Sequence, residues 1–220
     1  FEERVPEVYL LEILDYEKAA DLQIDASIMK YGLPSQFSPE IKAFVDRLPK
    51  SIDENERSCR VDLTEKNFVT IDGEDAKDYD DAIVCERLID GFNLIVAIAD
   101  VAHYVKRDSE VDLEACSRGT SVYFPLRVIP MLPEIISNNL CSLIPNQERL
   151  VIACDIQISK QGEIRSFEFY EAIIESKKRL TYDFVESVIT SAKSEKIYKS
   201  IRALADLTKT LLDQKKKRGA

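Results

Sequence analysis

The fold of this chain is organised around the stretch Phe68-Val-Thr-Ile-Asp72-Gly-Glu-Asp75-Ala-Lys-Asp78-Tyr-Asp80-Asp81-Ala-Ile-Val84. Its two ends, 68–71 and 82–84, are short and rich in β-branched residues, which predicts strands. Between these ends the chain carries six acidic residues within ten positions. We therefore expect Asp72 to end one strand and Asp81 to begin the next.

Four carboxylates of this stretch are candidate ligands of a metal ion: Asp72, Asp78, Asp80 and Asp81. Like charges a few ångströms apart repel one another, and burial beside apolar strands strengthens that repulsion. A divalent cation would offset the charge. Ligands that are all carboxylates suit Mg²⁺, with Mn²⁺ as a substitute, whereas zinc favours histidine or cysteine. The alternative is a solvated acidic loop, which is the usual state of a charge run; the flanking apolar strands favour the metal site.

Two shorter acidic motifs describe the same loop less well. The calcium loop of an EF-hand needs glycine at its sixth position, but the sixth residue counted from Asp72 is Lys77. Asp78-Tyr-Asp80 matches the Asp-x-Asp pattern of metal-dependent sugar transferases. That pattern is short enough to arise often by chance, and it would require metal binding that depends on a nucleotide sugar.

The stretch as a whole is far more specific, and a second stretch accompanies it. Residues 70–82, Thr-Ile-Asp-Gly-Glu-Asp-Ala-Lys-Asp-Tyr-Asp-Asp-Ala, resemble the first active-site motif of the ribonuclease II and ribonuclease R superfamily, the RNB-type exoribonucleases, and are closest to its ribonuclease R branch. The next motif of that family is similar to Arg118-Gly-Thr-Ser-Val-Tyr123-Phe-Pro-Leu-Arg-Val-Ile-Pro-Met-Leu-Pro133, continued through Leu140-Cys-Ser-Leu143. Both motifs stand in the family's order and at its spacing.

The resemblance implies a reaction and a substrate. Enzymes of this family hydrolyse single-stranded RNA processively from its 3′ end and release nucleoside 5′-monophosphates, using Mg²⁺. Asp72, Asp78 and Asp81 would hold the ion, while Asp80 matches the aspartate most needed for catalysis, either through a second metal ion or by orienting the attacking water. Tyr123 matches the tyrosine that stacks on a nucleotide near the scissile end. The alternative is a related metal-binding or RNA-binding module without hydrolytic activity, against which the complete set of four aspartates argues.

The resemblance also predicts the domain organisation. Residues 1–32 would be the end of a cold-shock-type oligonucleotide-binding (OB) barrel, residues 33–60 a linker with a short helix, and residues 61–220 the N-terminal portion of the RNB catalytic domain. The predicted fold class is α+β, with a mixed, largely antiparallel sheet and flanking helices. The family's later motif, with an arginine that contacts the phosphate, and its final barrel have no counterpart in the sequence, so we expect this chain alone to be inactive or nearly so.

Composition limits the classes of function. A chain of 220 residues with 45% hydrophobic residues can form a core. No apolar run approaches the roughly 18 residues of a membrane span, and Phe1-Glu-Glu-Arg has neither an initiator methionine nor a signal-peptide pattern, which suggests an excised piece. A net charge of −10 argues against general binding to phosphate backbones, although metal ions can bring RNA to an acidic site. Lys177-Lys178-Arg179 and Lys215-Lys216-Lys217-Arg218 are predicted to be solvated helix ends or RNA contacts.

Cysteine and histidine usage indicates a reducing compartment and argues against a zinc site or a Ser-His-Asp triad. The five cysteines are odd in number and widely spaced, without a Cys-x-x-Cys pair, which indicates reduced, mostly buried thiols of a cytoplasmic protein. The single histidine, His103, lacks the neighbours that a zinc site or a Ser-His-Asp triad would need. We predict that His103 is structural and that Asp100, which ends a strand, is hydrogen-bonded to the backbone.

Hydrophobic periodicity predicts the remaining elements. Loose alternation over residues 1–30 suggests strands of the barrel, and the continuously apolar run 94–99 predicts a strand covered on both faces. Asp90-Gly91 marks a hairpin turn. The other predicted elements are a helix over 39–48 capped by Ser38, a helix over 109–118 followed by Gly119, a hairpin of 151–159 with 163–175, and helices over 182–189 and 195–217.

Overall fold

The computed structural model describes residues 19–125, 127–190 and 195–219. Its strands are β1 (Val61–Asp62), β2 (Val69–Asp72), β3 (Asp81–Leu88), β4 (Gly91–Ala99), β5 (Val122–Tyr123), β6 (Val128–Ile129), β7 (Glu148–Ser159), β8 (Ile164–Glu175) and β9 (Lys178–Thr181). Its helices are α1 (Ala19–Tyr31), α2 (Pro39–Asp46), α3 (Glu54–Cys59), α4 (Val101–Tyr104), α5 (Glu110–Arg118), α6 (Tyr182–Thr190) and α7 (Lys196–Lys217), with a π-helical turn over Ile136–Leu140.

The main sheet has seven strands in the order β1-β8-β7-β4-β3-β2-β9. The two outer pairs, β1 with β8 and β2 with β9, are parallel, and the pairs between them are antiparallel. The predicted mixed, largely antiparallel sheet with flanking helices is therefore confirmed. Strands β5 and β6 form a separate two-stranded hairpin.

The predicted strand boundaries at the acidic stretch are confirmed. Asp72 is the last residue of β2 and Asp81 is the first residue of β3. The hairpin that follows turns through Ile89 and Asp90, so that Leu88 pairs with Gly91, one residue earlier than the predicted turn. The second predicted hairpin is formed by β7 and β8, which pair over almost their whole length.

The predicted helices after residue 38 are confirmed, including their caps. The Ser38 side chain accepts a hydrogen bond from the Ile41 amide, and the Ser109 side chain accepts one from the Asp112 amide. Gly119 ends α5 in the left-handed conformation, with φ of 72°, which glycine adopts without strain. Helix α3 was not predicted, although Asp53, which accepts from the Glu56 amide, gives an N-terminal capping pattern in the sequence.

The strand expected from alternation at Ile24, Ala26 and Ile28 is wrong, because these residues lie in α1. Ile24 and Ile28 are four residues apart, which places them on one face of a helix as readily as on one face of a strand. Both are buried against Ile129 of β6. Residues 1–18 lie outside the described residues, so the assignment of 1–32 to an oligonucleotide-binding barrel stays a prediction.

The core lies mainly on one face of the sheet, where Ile95, Val151 and Ile173 are buried together with Phe68 and Leu143. On the other face, α6 and α7 cover only part of the strands. Ile98 is 47% exposed there, so the prediction that 94–99 is covered on both faces is wrong for the end of β4 nearest the acidic loop. None of the helices within the described ranges is long and apolar enough to cross a membrane.

All five cysteines are free. Cys85 and Cys141 are buried, and desolvation raises the pKa of their thiols to about 11 and about 12. The prediction of mostly buried thiols is wrong for Cys59 and Cys116, which are exposed because each lies near the solvent side of a short surface helix.

Candidate metal centre

The four candidate aspartates lie at one end of the sheet. Asp72 closes β2 and Asp81 opens β3, and these strands are antiparallel neighbours. Asp78 and Asp80 belong to the loop that connects them. The backbone amide of Ala99, at the end of β4, donates to the Asp80 carbonyl at 2.9 Å. The fold therefore ties the end of this loop to the centre of the sheet.

The aspartates lie within one another's electrostatic field. Burial raises the pKa of Asp72, and the charges of Asp81 and Asp78 raise it further, against the lowering effect of Thr70 and Arg179. Burial also raises the pKa of Asp80, with additional contributions from the other three aspartates. The Asp72 Oδ2 atom is buried without a hydrogen-bond partner. The cluster thus has an excess of negative charge that its own hydrogen bonds do not offset.

The aspartates do not form a closed cage. Across the part of the chain that the structure describes, no three side chains of histidine, cysteine, aspartate or glutamate converge closely enough to hold a metal ion. Four neighbouring carboxylates repel one another, so closing such a cage needs the charge of a cation. The metal assignment of Asp72, Asp78, Asp80 and Asp81 accordingly stays a prediction.

Ser142 contacts the loop on the side of Asp78, a role that the sequence did not reveal. Its hydroxyl donates to the Lys77 carbonyl at 3.0 Å and accepts from the Tyr79 amide at 3.1 Å. The neighbouring Leu143 amide donates to the Tyr79 carbonyl at 2.9 Å. Ser142 belongs to the second family-like stretch, and that membership was the only signal in the sequence that pointed to it.

Arg179 contacts the other side of the loop. It lies on β9, where it pairs with Thr70 of β2, and its Nη2 atom donates to the Gly73 and Glu74 carbonyls. Lys177 pairs with Glu175, and the Lys178 ammonium lies over the Phe184 ring. The prediction that 177–179 is a helix end is wrong, because these residues run into a strand whose pairing with β2 the sequence pattern did not indicate. Residues 215–218 do end a helix, α7.

Tyr123 lies on the β5–β6 hairpin and is 69% exposed. Its neighbour Phe124 is partly buried against α1. The base of the hairpin is held by Arg118, whose guanidinium donates to the Pro130 carbonyl and lies 3.9 Å from the centre of the Phe37 ring. The structure therefore presents the Tyr123 ring on an anchored support, and its role in substrate binding stays a prediction.

Asp100 and His103 have the structural roles expected of them. The Asp100 carboxylate accepts from the His103 amide at 3.1 Å and from Arg60 Nη2 at 2.7 Å. The His103 ring stacks edge-on against Tyr104. Both residues belong to a buried polar network beside the start of α4, so neither adds a ligand to the acidic loop.

Comparison with known proteins extends the resemblance of the two motifs to the whole chain. The family model described as RNB domain matches residues 60–220. Ribonuclease R of Acidithiobacillus ferrooxidans is 40% identical over 220 residues, which cover 98% of this chain and 50% of that protein. Ribonuclease R of Escherichia coli strain K12 is 38% identical over 216 residues, which cover 96% of this chain and 27% of that protein.

The folds agree as well. The structure of Mycoplasma genitalium RNase R in complex with double-stranded RNA matches with a TM-score of 0.84 and 37% identity, over 90% of this chain and 36% of that chain. The chain thus spans half of the length of one ribonuclease R relative and about a quarter of another.

Proposed function

The chain belongs to the RNB-domain family, and we propose that it supplies the metal-binding acids of a 3′-to-5′ exoribonuclease that degrades single-stranded RNA to nucleoside 5′-monophosphates. The observation that carries this proposal is the placement of Asp72, Asp78, Asp80 and Asp81 at one end of the sheet, within one another's field. These residues lie inside the region that matches the family.

The chemistry of these side chains suits a hard divalent cation. Asp72 Oδ2 is buried without a donor, and an unsatisfied buried acceptor is costly unless something supplies positive charge. A donor set made only of carboxylate oxygens suits Mg²⁺ or Mn²⁺ rather than zinc. Such an ion, when bound, would polarise a phosphoryl oxygen, lower the pKa of a water molecule and stabilise the leaving 3′-oxygen.

We assign different roles to the four aspartates. Asp72, Asp78 and Asp81 would hold the ion. Asp72 is the last residue of β2 and Asp81 is the first residue of β3, while Asp78 lies between the two loop residues that Ser142 contacts. Asp80 would orient the attacking water and accept its proton. In the metal-free chain, desolvation and three neighbouring carboxylates raise the pKa of Asp80.

Tyr123 would bind RNA near the scissile end by stacking on a base. Its exposed ring supports this role, since every base offers a π-face and stacking tolerates any sequence. Because the net charge is −10, the phosphate backbone would be contacted through metal ions or through local basic segments. We place the activity in the cytoplasm, which the five free cysteines support.

A 5′-labelled single-stranded RNA tests the reaction. We would incubate it with Mg²⁺ or Mn²⁺ and either this chain or a version extended to the length of its ribonuclease R relatives, in wild-type and Asp80→Asn forms. Asp80→Asn should lower turnover by about 100-fold or more, because a group that acts in the transition state is lost, while the RNA affinity stays nearly unchanged. Short end products should form with the extended wild type and disappear with EDTA.

Two controls separate the exonuclease from its alternative. Asp75→Asn removes an equal charge from an exposed position of the same loop and should leave turnover unchanged. Intact RNA after incubation with the extended wild type, combined with normal RNA binding, would favour a non-catalytic RNA-binding module and contradict the proposal. A large loss of affinity with normal turnover in Asp80→Asn would contradict the role given to Asp80.

A further inference from the structure

The acidic loop does little to fix its own shape. Residues 73–80 form neither helix nor strand. Within the loop, the Ala76 amide donates to the Gly73 carbonyl at 3.3 Å, and the Tyr79 hydroxyl donates to the Ala76 carbonyl at 3.0 Å. A segment with so few internal bonds has many accessible conformations. The positions of Asp78 and Asp80 therefore depend on contacts from outside the loop.

Ser142 provides those contacts for the second arm of the loop, which we define as Lys77–Tyr79. Its side chain is fully buried, and one oxygen atom both donates to the carbonyl before Asp78 and accepts from the amide after it. A hydroxyl is the smallest side-chain group that can donate and accept at once. Ser142 is itself fixed, because the buried Arg149 donates from Nε to its carbonyl at 2.9 Å.

Arg179 provides the contacts for the first arm, which we define as Gly73–Glu74. Its Nη2 atom donates to both carbonyls of this arm, directly after Asp72. Its guanidinium carbon lies 5.4 Å from the centre of the Tyr79 ring, so that it also packs against the second arm. The Arg179 Nε atom is buried without a hydrogen-bond partner. A planar guanidinium can lie against a ring while its N–H groups donate, whereas an ammonium group is a compact point charge.

We propose that Ser142 and Arg179 are positioning residues that hold the two arms of the acidic loop in register, so that the carboxylates of Asp72, Asp78 and Asp81 can close on one cation. This inference rests on the proposed metal centre. It also explains the structural role of residues 140–143 in the second family-like stretch, since Ser142 and Leu143 hold the loop that carries the aspartates. Neither residue touches the ion or the substrate in this arrangement.

The test compares Ser142→Ala with a matched control, Ser159→Ala. Ser159 is also buried, and its hydroxyl accepts from the Gln161 and Glu163 amides at the opposite end of the sheet. Both changes remove two hydrogen bonds, so they should lower the melting temperature by similar amounts. Only Ser142→Ala should weaken Mn²⁺ binding, measured on the folded chain by electron paramagnetic resonance, by about 10- to 100-fold, as is usual for groups that orient metal ligands.

Arg179 is tested with two substitutions. Arg179→Lys keeps the positive charge but loses the planar guanidinium, and Arg179→Met loses both. We expect both variants to weaken Mn²⁺ binding, with the larger loss in Arg179→Met. Normal affinity in Arg179→Lys would show that Arg179 acts through charge alone and would contradict a positioning role for it.

We call the contacts that Ser142 and Arg179 make with the two arms of the loop the clamp. Amide hydrogen exchange of the metal-free chain tests this clamp independently of the metal. Ser142→Ala and Arg179→Met should accelerate exchange in residues 73–80, whereas Ser159→Ala should not. Unchanged exchange in the loop would overturn the clamp. Faster exchange together with unchanged Mn²⁺ affinity would overturn the positioning role. If wild type binds no Mn²⁺, the proposed metal centre fails, while the exchange data still decide whether the clamp exists.

Discussion

Adjacent residues in this chain can have opposite tasks, as Tyr123 and Phe124 illustrate. Tyr123 projects from the β5–β6 hairpin with 69% of its surface exposed, and Phe124 packs against α1 in a small apolar cluster. An exposed aromatic ring on an anchored support loses little entropy when it stacks on a base. Phe124 fixes the hairpin, and Tyr123 is free to contact a ligand.

Replacement of Tyr123 should therefore affect RNA binding and leave stability nearly unchanged. Tyr123→Ala should weaken the affinity for single-stranded RNA by about 1–3 kcal/mol, the usual value of one base–aromatic stack. Tyr123→Phe keeps the ring and should bind like wild type. Fluorescence anisotropy with a labelled RNA, using the extended polypeptide with the active site inactivated by Asp80→Asn, measures both. Equal losses in the two variants would show that the hydroxyl, not stacking, makes the contact.

At the level of elements, α7 packs against β3, the strand that begins with Asp81. There the Ser200 hydroxyl accepts from the Cys85 amide at 2.9 Å. Leu207, which is 1% exposed, lies in a cluster with Phe92 and Ile158. The apolar residues of this helix form a stripe that is buried near its middle, at Ile201 and Leu207, whereas Leu212 is 51% exposed. The buried part of the stripe fixes β3, whose first residue is Asp81.

Leu207 and Leu212 of α7 differ in burial and give a matched pair for mutation. Leu207→Ala should lower the free energy of unfolding by about 2–5 kcal/mol, because it leaves a cavity in a packed cluster. Leu212→Ala should change it by less than about 0.5 kcal/mol, since its side chain is half exposed. Urea denaturation followed by circular dichroism measures both changes. Similar losses in the two variants would mean that α7 packs differently from the arrangement described.

For the molecule as a whole, the sequence predicts features set by neighbouring residues, such as strand ends, but it does not reveal contacts between residues that are far apart in the chain. Asp72 and Asp81 were placed correctly at strand ends, because β-branched runs and acidic residues adjoin in the sequence. Ser142 and Arg179 lie 63 and 106 residues from the loop positions they bind, and no periodicity connects such positions. The misassigned strand around Ile24 and Ile28 has a related cause, because a short apolar pattern fits both periods until its packing partner is known.

The proposed function depends most on whether the aspartate cluster of the acidic loop binds a divalent cation. A titration of this chain with Mn²⁺, followed by the resonance of the free ion, answers this directly. We predict that wild type binds Mn²⁺ and that Asp78→Asn weakens binding at least about tenfold, because a ligand and a negative charge are lost. Asp75→Asn, which removes the same charge from an exposed position of the same loop, should bind like wild type. Equal effects of both substitutions, or no binding by wild type, would contradict the metal centre.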